Sequence, residues 1–177
     1  MKPMAAVDIS PPMRPQPAVD IVRRAGAWEN VADEILVNAV RAAFAAVRGD
    51  APPSEVSLLL TDDAEISELN KNWRGEDGAT NVLSFPLDAP QSAAGQELLG
   101  DVALAYETVM REAADRGIAI GQHAAHLVVH GMLHLMGYDH KSNQEAAIME
   151  RLEVRILGSI GLANPYSLQS PTDGEGQ

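Results

Sequence analysis

Hydrophobic and polar positions alternate between two periods along this chain. Val19–Arg23 is a short β-branched run and predicts a first strand. From Glu29 to Arg48, Val31, Ile35, Leu36, Val40, Phe44 and Val47 recur at helical spacing, which predicts one long amphipathic helix ended by Gly49. Glu55–Leu60 predicts a strand with three consecutive leucines. Asp62 opens a helix to about Asn72, with Glu65 at the capping-box position. Trp73–Asn81 holds Gly75 and Gly78 and reads as a loop, Val82–Phe85 as a strand, Asp88–Gln96 as a second loop and Leu98–Leu104 as another strand. Three helices follow: Tyr106–Arg116 ended by Gly117, Ile120–Met136 ended by Gly137, and Gln144–Leu157. The sum is an α+β domain of about four strands and about five helices over residues 18–166. Met1–Pro17 is Pro-rich and aperiodic, and 167–177 is acidic and cannot bury a core, so both ends are expected to be flexible tails.

Composition narrows the chemistry. The 177 residues suit a single domain, and 46% hydrophobic residues suffice for a packed core. There is no cysteine, which excludes disulfides, iron–sulfur clusters, thiolate nucleophiles and Cys-ligated zinc. A transition-metal site must then be built from His with Asp or Glu. No stretch has the apolar length of a signal peptide core or a membrane span, so a soluble cytoplasmic protein is expected. The formal net charge is −12. Residues to Pro17 contribute +1 and Ala163–Gln177 contribute −2, leaving −11 on the rest. Such a body is poorly suited to broad, nonspecific binding of nucleic acid, although a local basic site stays possible.

All five histidines fall between His123 and His140. On a helix, His123, His126, His130 and His134 lie within an arc of roughly 80°. His130 and His134 stand at i and i+4, so their imidazoles stack and can share a metal. Gly137 lets the chain leave the helix in a left-handed turn and brings His140 back to the same point. Three protein ligands leave a fourth tetrahedral position, the catalytic arrangement of zinc. His126 is expected to support or pack, and His123 to be solvated near the helix start. The spacing is that of the metzincin peptidase motif, His-Glu-x-x-His-x-x-Gly-x-x-His, except that Gly131 stands in place of the general-base Glu. A metal hydrolase without that base is therefore expected.

A second block runs from Asn72 through Trp73-Arg74-Gly75 to Thr80-Asn81-Val82-Leu83-Ser84-Phe85-Pro86. Arg74, in a Gly-bounded loop, could reach a phosphate bidentately; by itself it reads equally as a surface arginine. Asp101, after Leu99-Gly100, either lines a cleft or is a charge on a strand face.

Together these blocks resemble the YbeY family of bacterial endoribonucleases, the rRNA maturation factors. The resemblance rests on Trp73-Arg74-Gly75, Thr80–Pro86, Leu99-Gly100-Asp101-Val102, His126–Gly131 and Leu133–His140, with Gly161 and Pro165-Tyr166 at the end. It implies a compact zincin-like α+β domain, with one zinc ion on His130, His134 and His140. It implies a functional role for Arg74, and metal-dependent cleavage of single-stranded RNA in small-subunit rRNA processing and ribosome quality control. The implied partners are rRNA and the ribosomal small subunit or assembly factors, with no membrane or DNA partner. Asp139 is either a candidate base or an orienting group for an imidazole. The alternatives are a metallopeptidase lacking its usual Glu, and a non-catalytic assembly factor whose zinc is structural, its fourth position closed by His126 or Asp139.

Overall fold

Four strands build one mixed sheet in the order β1-β2-β4-β3. β1 (Ala18–Arg23), β2 (Ser54–Thr61) and β4 (Glu97–Ala105) are parallel, and β3 (Val82–Pro86) lies antiparallel to β4 at the edge. The computed structural model describes residues 15–49, 51–52, 54–87 and 96–167. The predicted tails, apart from 15–17 and 167, and most of the Asp88–Gln96 loop lie outside the described residues.

The period-two pattern sorts β2 cleanly. Val56, Leu58 and Leu60 are buried on one face, together with Val102 and Leu104 of β4. Helices α1 (Asp33–Arg48), α4 (Ile120–Leu135) and α5 (Asn143–Ser159) pack on that side and complete the main core. α2 (Asp63–Arg74) covers part of the opposite face, with Ile66 against Leu83, Ala103 and Ala105. α3 (Tyr106–Asp115) joins β4 to α4 and packs beside α4. Asp62 caps α2 by accepting the Glu65 N–H at 2.9 Å, and Ser142 caps α5 reciprocally with Glu145.

Two helix boundaries and the burial of one histidine differ from the periodicity reading. The predicted helix over Glu29–Arg48 is broken. Gly26–Asn30 forms a 3-10 turn and Ala32 is extended at the N-cap of α1. The cause is Trp28, which is fully buried and donates its indole N–H to the Thr61 carbonyl at 2.7 Å. At α2 the helix runs two residues past Asn72, so Arg74 is in its last turn and not in a loop; Gly75 (φ 71°) ends it in the left-handed conformation.

His123 is the third correction. It is 3% exposed, not solvated. Its Nε2–H donates to Glu112 of α3 at 2.7 Å, and its Nδ1 accepts from Arg116 at 3.3 Å. Glu112 also accepts from Asn81 at 3.0 Å, and Arg116 donates to the Pro165 carbonyl. A neutral imidazole thus pins α4 to α3, to the entry of β3 and to the C-terminal segment. Burial lowers the His123 pKa, against the opposing pull of Glu112.

β4 carries a bulge. Glu55 pairs with Leu98 but Val56 with Gly100, so Leu99 is the extra residue. Gly100 has φ 130°, and a Cβ there would lie 2.2 Å from the Phe85 carbonyl oxygen. Gly100→Ala should therefore cost ~3 kcal/mol or more. That would lower the melting temperature by about 6–12 °C, readable by calorimetry. The His123 cluster predicts a pH effect. The unfolded chain takes up this proton more readily, so the stability it confers is held above the ordinary value of 6.5 and is lost as pH falls below it. Metal-free protein should melt progressively lower between about pH 7 and about pH 5, and His123→Asn should flatten that slope.

Candidate metal centre

α4 crosses the sheet closest at residue 131. A Cβ at Gly131 would lie 2.7 Å from Val102 Cγ1 and 3.0 Å from Ser84 Oγ. Ser84 Oγ donates to the Gly131 carbonyl at 3.3 Å. No side chain fits there, and a Glu in the position of the metzincin base would collide with the β3–β4 pair. The contact also fixes the rotation of α4, so that His130 and His134 open beside the edge of β3.

The helix ends at Leu135 in a Schellman-type turn. Gly137 (φ 93°) donates to the His134 carbonyl at 3.0 Å, and Tyr138 to the Leu133 carbonyl at 3.0 Å. The turn returns His140 to the helix face. One nitrogen from each of His130, His134 and His140 lies within 4.8 Å of the others. His130 Nε2 and His134 Nε2 are 3.1 Å apart. Ring centroids stand 4.7 to 5.5 Å from one another. Burial, and the nearness of the other two rings, lower the His134 pKa.

Behind His130 stands Glu153 of α5, 1% exposed. It accepts from His130 Nδ1 at 2.6 Å, from His126 Nε2 at 3.2 Å, and from the Tyr166 hydroxyl. Burial alone would raise its pKa, but the hydrogen bonds from His126, His130 and Tyr166 bring it down to about 2. Burial and the same carboxylate push the Tyr166 hydroxyl well above its ordinary 10. An ionised Glu153 holds the His130 proton on Nδ1 and leaves the Nε2 lone pair facing His134. These three residues can hold a divalent metal: the donor set is all imidazole, the donors converge, and one ring is pre-oriented by a carboxylate.

The two residues that could close a fourth position are engaged elsewhere. His126 points to Glu153, as a supporting residue should. Asp139 accepts the His140 N–H at 2.8 Å and pairs with Lys141 at 2.9 Å, so it orients no imidazole. The pairing with Lys141, first, and the backbone bond lower the Asp139 pKa.

Arg74 lines the same cleft as the three histidines, with Asn81 and Lys141, in a cavity of ≈630 Å³. Its guanidinium is half-exposed and approaches Glu76 at only 3.9 Å, so it is free to turn into the cleft. Asp101 lies apart, on the other side of β3, in a groove of ≈580 Å³ that Arg74 also lines. The sequence reading missed Glu153. Its signal was present: Met149, Glu153, Ile156 and Leu157 form the buried stripe of α5, and an acid in such a stripe needs buried donors.

The family model described as Endoribonuclease YbeY matches residues 22–161. Proteins named Endoribonuclease YbeY are similar throughout the domain. The one from Rhodopseudomonas palustris (strain BisA53) is 44% identical, covering 89% of this chain and 94% of its own. The one from Rhodospirillum rubrum is 52% identical, covering 80% and 78%. The one from Sphingopyxis alaskensis is 53% identical, covering 71% and 79%. Among solved structures, the solution structure of TM1509 from Thermotoga maritima shares the fold, at a TM-score of 0.52 and 22% identity over 89% of this chain and 99% of that one. With the family model spanning β2 to β4, the histidine helix and α5, this chain belongs to the YbeY endoribonuclease family.

Proposed function

We propose that this protein is a zinc-dependent endoribonuclease that cuts single-stranded RNA in small-subunit rRNA maturation and ribosome quality control. On this reading His130, His134 and His140 hold the zinc, and Arg74 is the catalytic residue. The observation that carries it is one cleft holding three convergent imidazoles and a free arginine, in a chain of the YbeY family. A cytoplasmic location and small-subunit or assembly-factor partners belong to the same reading. Among the described residues, no helix is long and apolar enough to cross a membrane.

Zinc held there would supply Lewis-acid charge neutralisation and an acidified water at neutral pH. The protein's own part is positional. Glu153 fixes the tautomer and ring plane of His130, and the turn at Gly137 fixes His140. Arg74 presents a planar fork of donors to the phosphoryl oxygens and stabilises the charge that grows on them. The cleft lies between an edge strand and a turn, which suits a flexible strand able to bend one phosphate inward.

Neither rival is favoured. A peptidase of the metzincin kind needs the carboxylate that the Gly131 contact excludes. A structural zinc needs a fourth protein ligand, and both His126 and Asp139 are held by other partners.

The test is cleavage of defined single- and double-stranded RNAs by zinc-loaded protein beside a chelated control. His130→Ala should lose bound zinc and cleavage together. Arg74→Ala should keep its zinc and lose about 10²–10³-fold in rate, as when one transition-state donor is removed. Zinc content by elemental analysis separates the two, and a zinc-free Arg74→Ala protein would contradict the role given to Arg74. Glu153→Gln keeps the volume but removes the charge behind His130. It should weaken zinc binding about 10–100-fold in a chelator competition, with the fold intact by circular dichroism.

A further inference from the structure

The most exposed large hydrophobic side chain among the described residues is Trp73, at 73%. It belongs to the last turn of α2, one residue before Arg74. Its indole is steadied edge-on by Phe85 at 5.9 Å, which leaves a ring face open. The groove below it, ≈580 Å³, runs between α2 and the sheet, lined by Leu69 of α2 and by Leu59 and Ala103 of the strands. This volume is within the about 300–1,000 Å³ of small-ligand sites. Arg74, Ser84 and Pro86 line both this groove and the histidine cleft, so the two cavities meet across the edge strand β3.

We infer that this groove is a nucleobase subsite, in which an unpaired base of the RNA substrate stacks on Trp73 while its phosphate reaches Arg74. The inference rests on the RNA-cleaving reading of the adjacent cleft and deepens it. Three observations select a base as occupant. The groove continues the cleft where the phosphate would be, through the one arginine common to both. Its lining is mostly apolar, with Arg24 and Arg74 among its residues and one carboxylate, Asp101, able to accept the amino and imino hydrogens of a base. An exposed indole beside an arginine is the usual pairing of stacking platform and backbone contact for single strands. Stacking is tolerant of sequence, because every base has a π-face.

Trp73 fluorescence reports the site directly, since the other tryptophan, Trp28, is fully buried. The probe is a single-stranded RNA octamer, with a companion series carrying one abasic position each. Binding should quench Trp73 emission and shield it from acrylamide, and one abasic position should abolish both effects. Trp73→Ala should raise the half-saturating RNA concentration about tenfold, equivalent to ~1.4 kcal/mol, and Trp73→Phe should recover most of the loss. Absence of quenching, whether or not the RNA is cut, overturns the subsite. Unchanged RNA binding by Trp73→Ala also overturns it and leaves the groove to a protein partner. Quenching without cleavage leaves the subsite standing and removes the nuclease reading instead.

Discussion

Where α4 meets the sheet, the structure depends on a side chain that is not there. Gly131 lets the helix backbone settle against Val102 and Ser84, and any Cβ would push it away. The settled helix has one rotation. Relative to residue 131, His134 and His130 stand roughly 60–100° around the axis, and His126 about 140°. The first two therefore open at the rim of β3, while His126 and His130 look toward α5. The same close packing removes the space in which a metzincin-type Glu would work. Core packing, ligand placement and loss of the peptidase base thus follow from one contact.

Glu153 depends on that rotation. A buried carboxylate is costly unless several donors meet it, and here two imidazoles and a phenol do. Those donors come from α4 and from the segment after α5, so Glu153 ties three parts of the chain at the back of the site. His126 is explained by this role. Tyr166, outside the histidine segment, enters the site's support through the Glu153 Oε2 atom that also meets His126, and it stacks edge-on with His126 at 5.7 Å. Glu112 does the equivalent for His123 one turn earlier, so each of the two carboxylates holds a stretch of the same helix from a different neighbour.

Much of this was legible in the chain itself. The strands, the five helices and the His130–His134–His140 set follow from periodicity, a glycine break and ligand spacing. What was not legible has identifiable causes. The break at Val31–Ala32 depends on Trp28 reaching Thr61, a contact across 33 residues that no local pattern encodes. A position near the helix start suggests a solvated His123, but its burial is decided by Glu112, Arg116 and the C-terminal segment. Gly75 makes Arg74 look like a loop residue, whereas Gly75 is the residue that ends the helix just past it. Glu153 sits in an apolar stripe, where a charged residue is easily passed over as a helix-surface acid.

The acidic body and the proposed RNA substrate are reconciled by where the charges sit. Residues 18–162 carry −11, so long-range attraction for a polyanion is not expected. The positive groups near the site are few: Arg74 common to both cavities, Lys141 on the cleft rim and Arg24 at the far side of the groove. Few phosphates can be neutralised, so little binding energy comes from counterion release. Affinity would then have to come from a metal-side phosphate contact and from base stacking, both short-ranged and both dependent on an unpaired, bent strand. A duplex offers its phosphates but not its base faces, and an acidic surface repels it before either contact forms. On the proposed reading, selectivity for single strands would be carried as much by the repulsive body as by the attractive cleft.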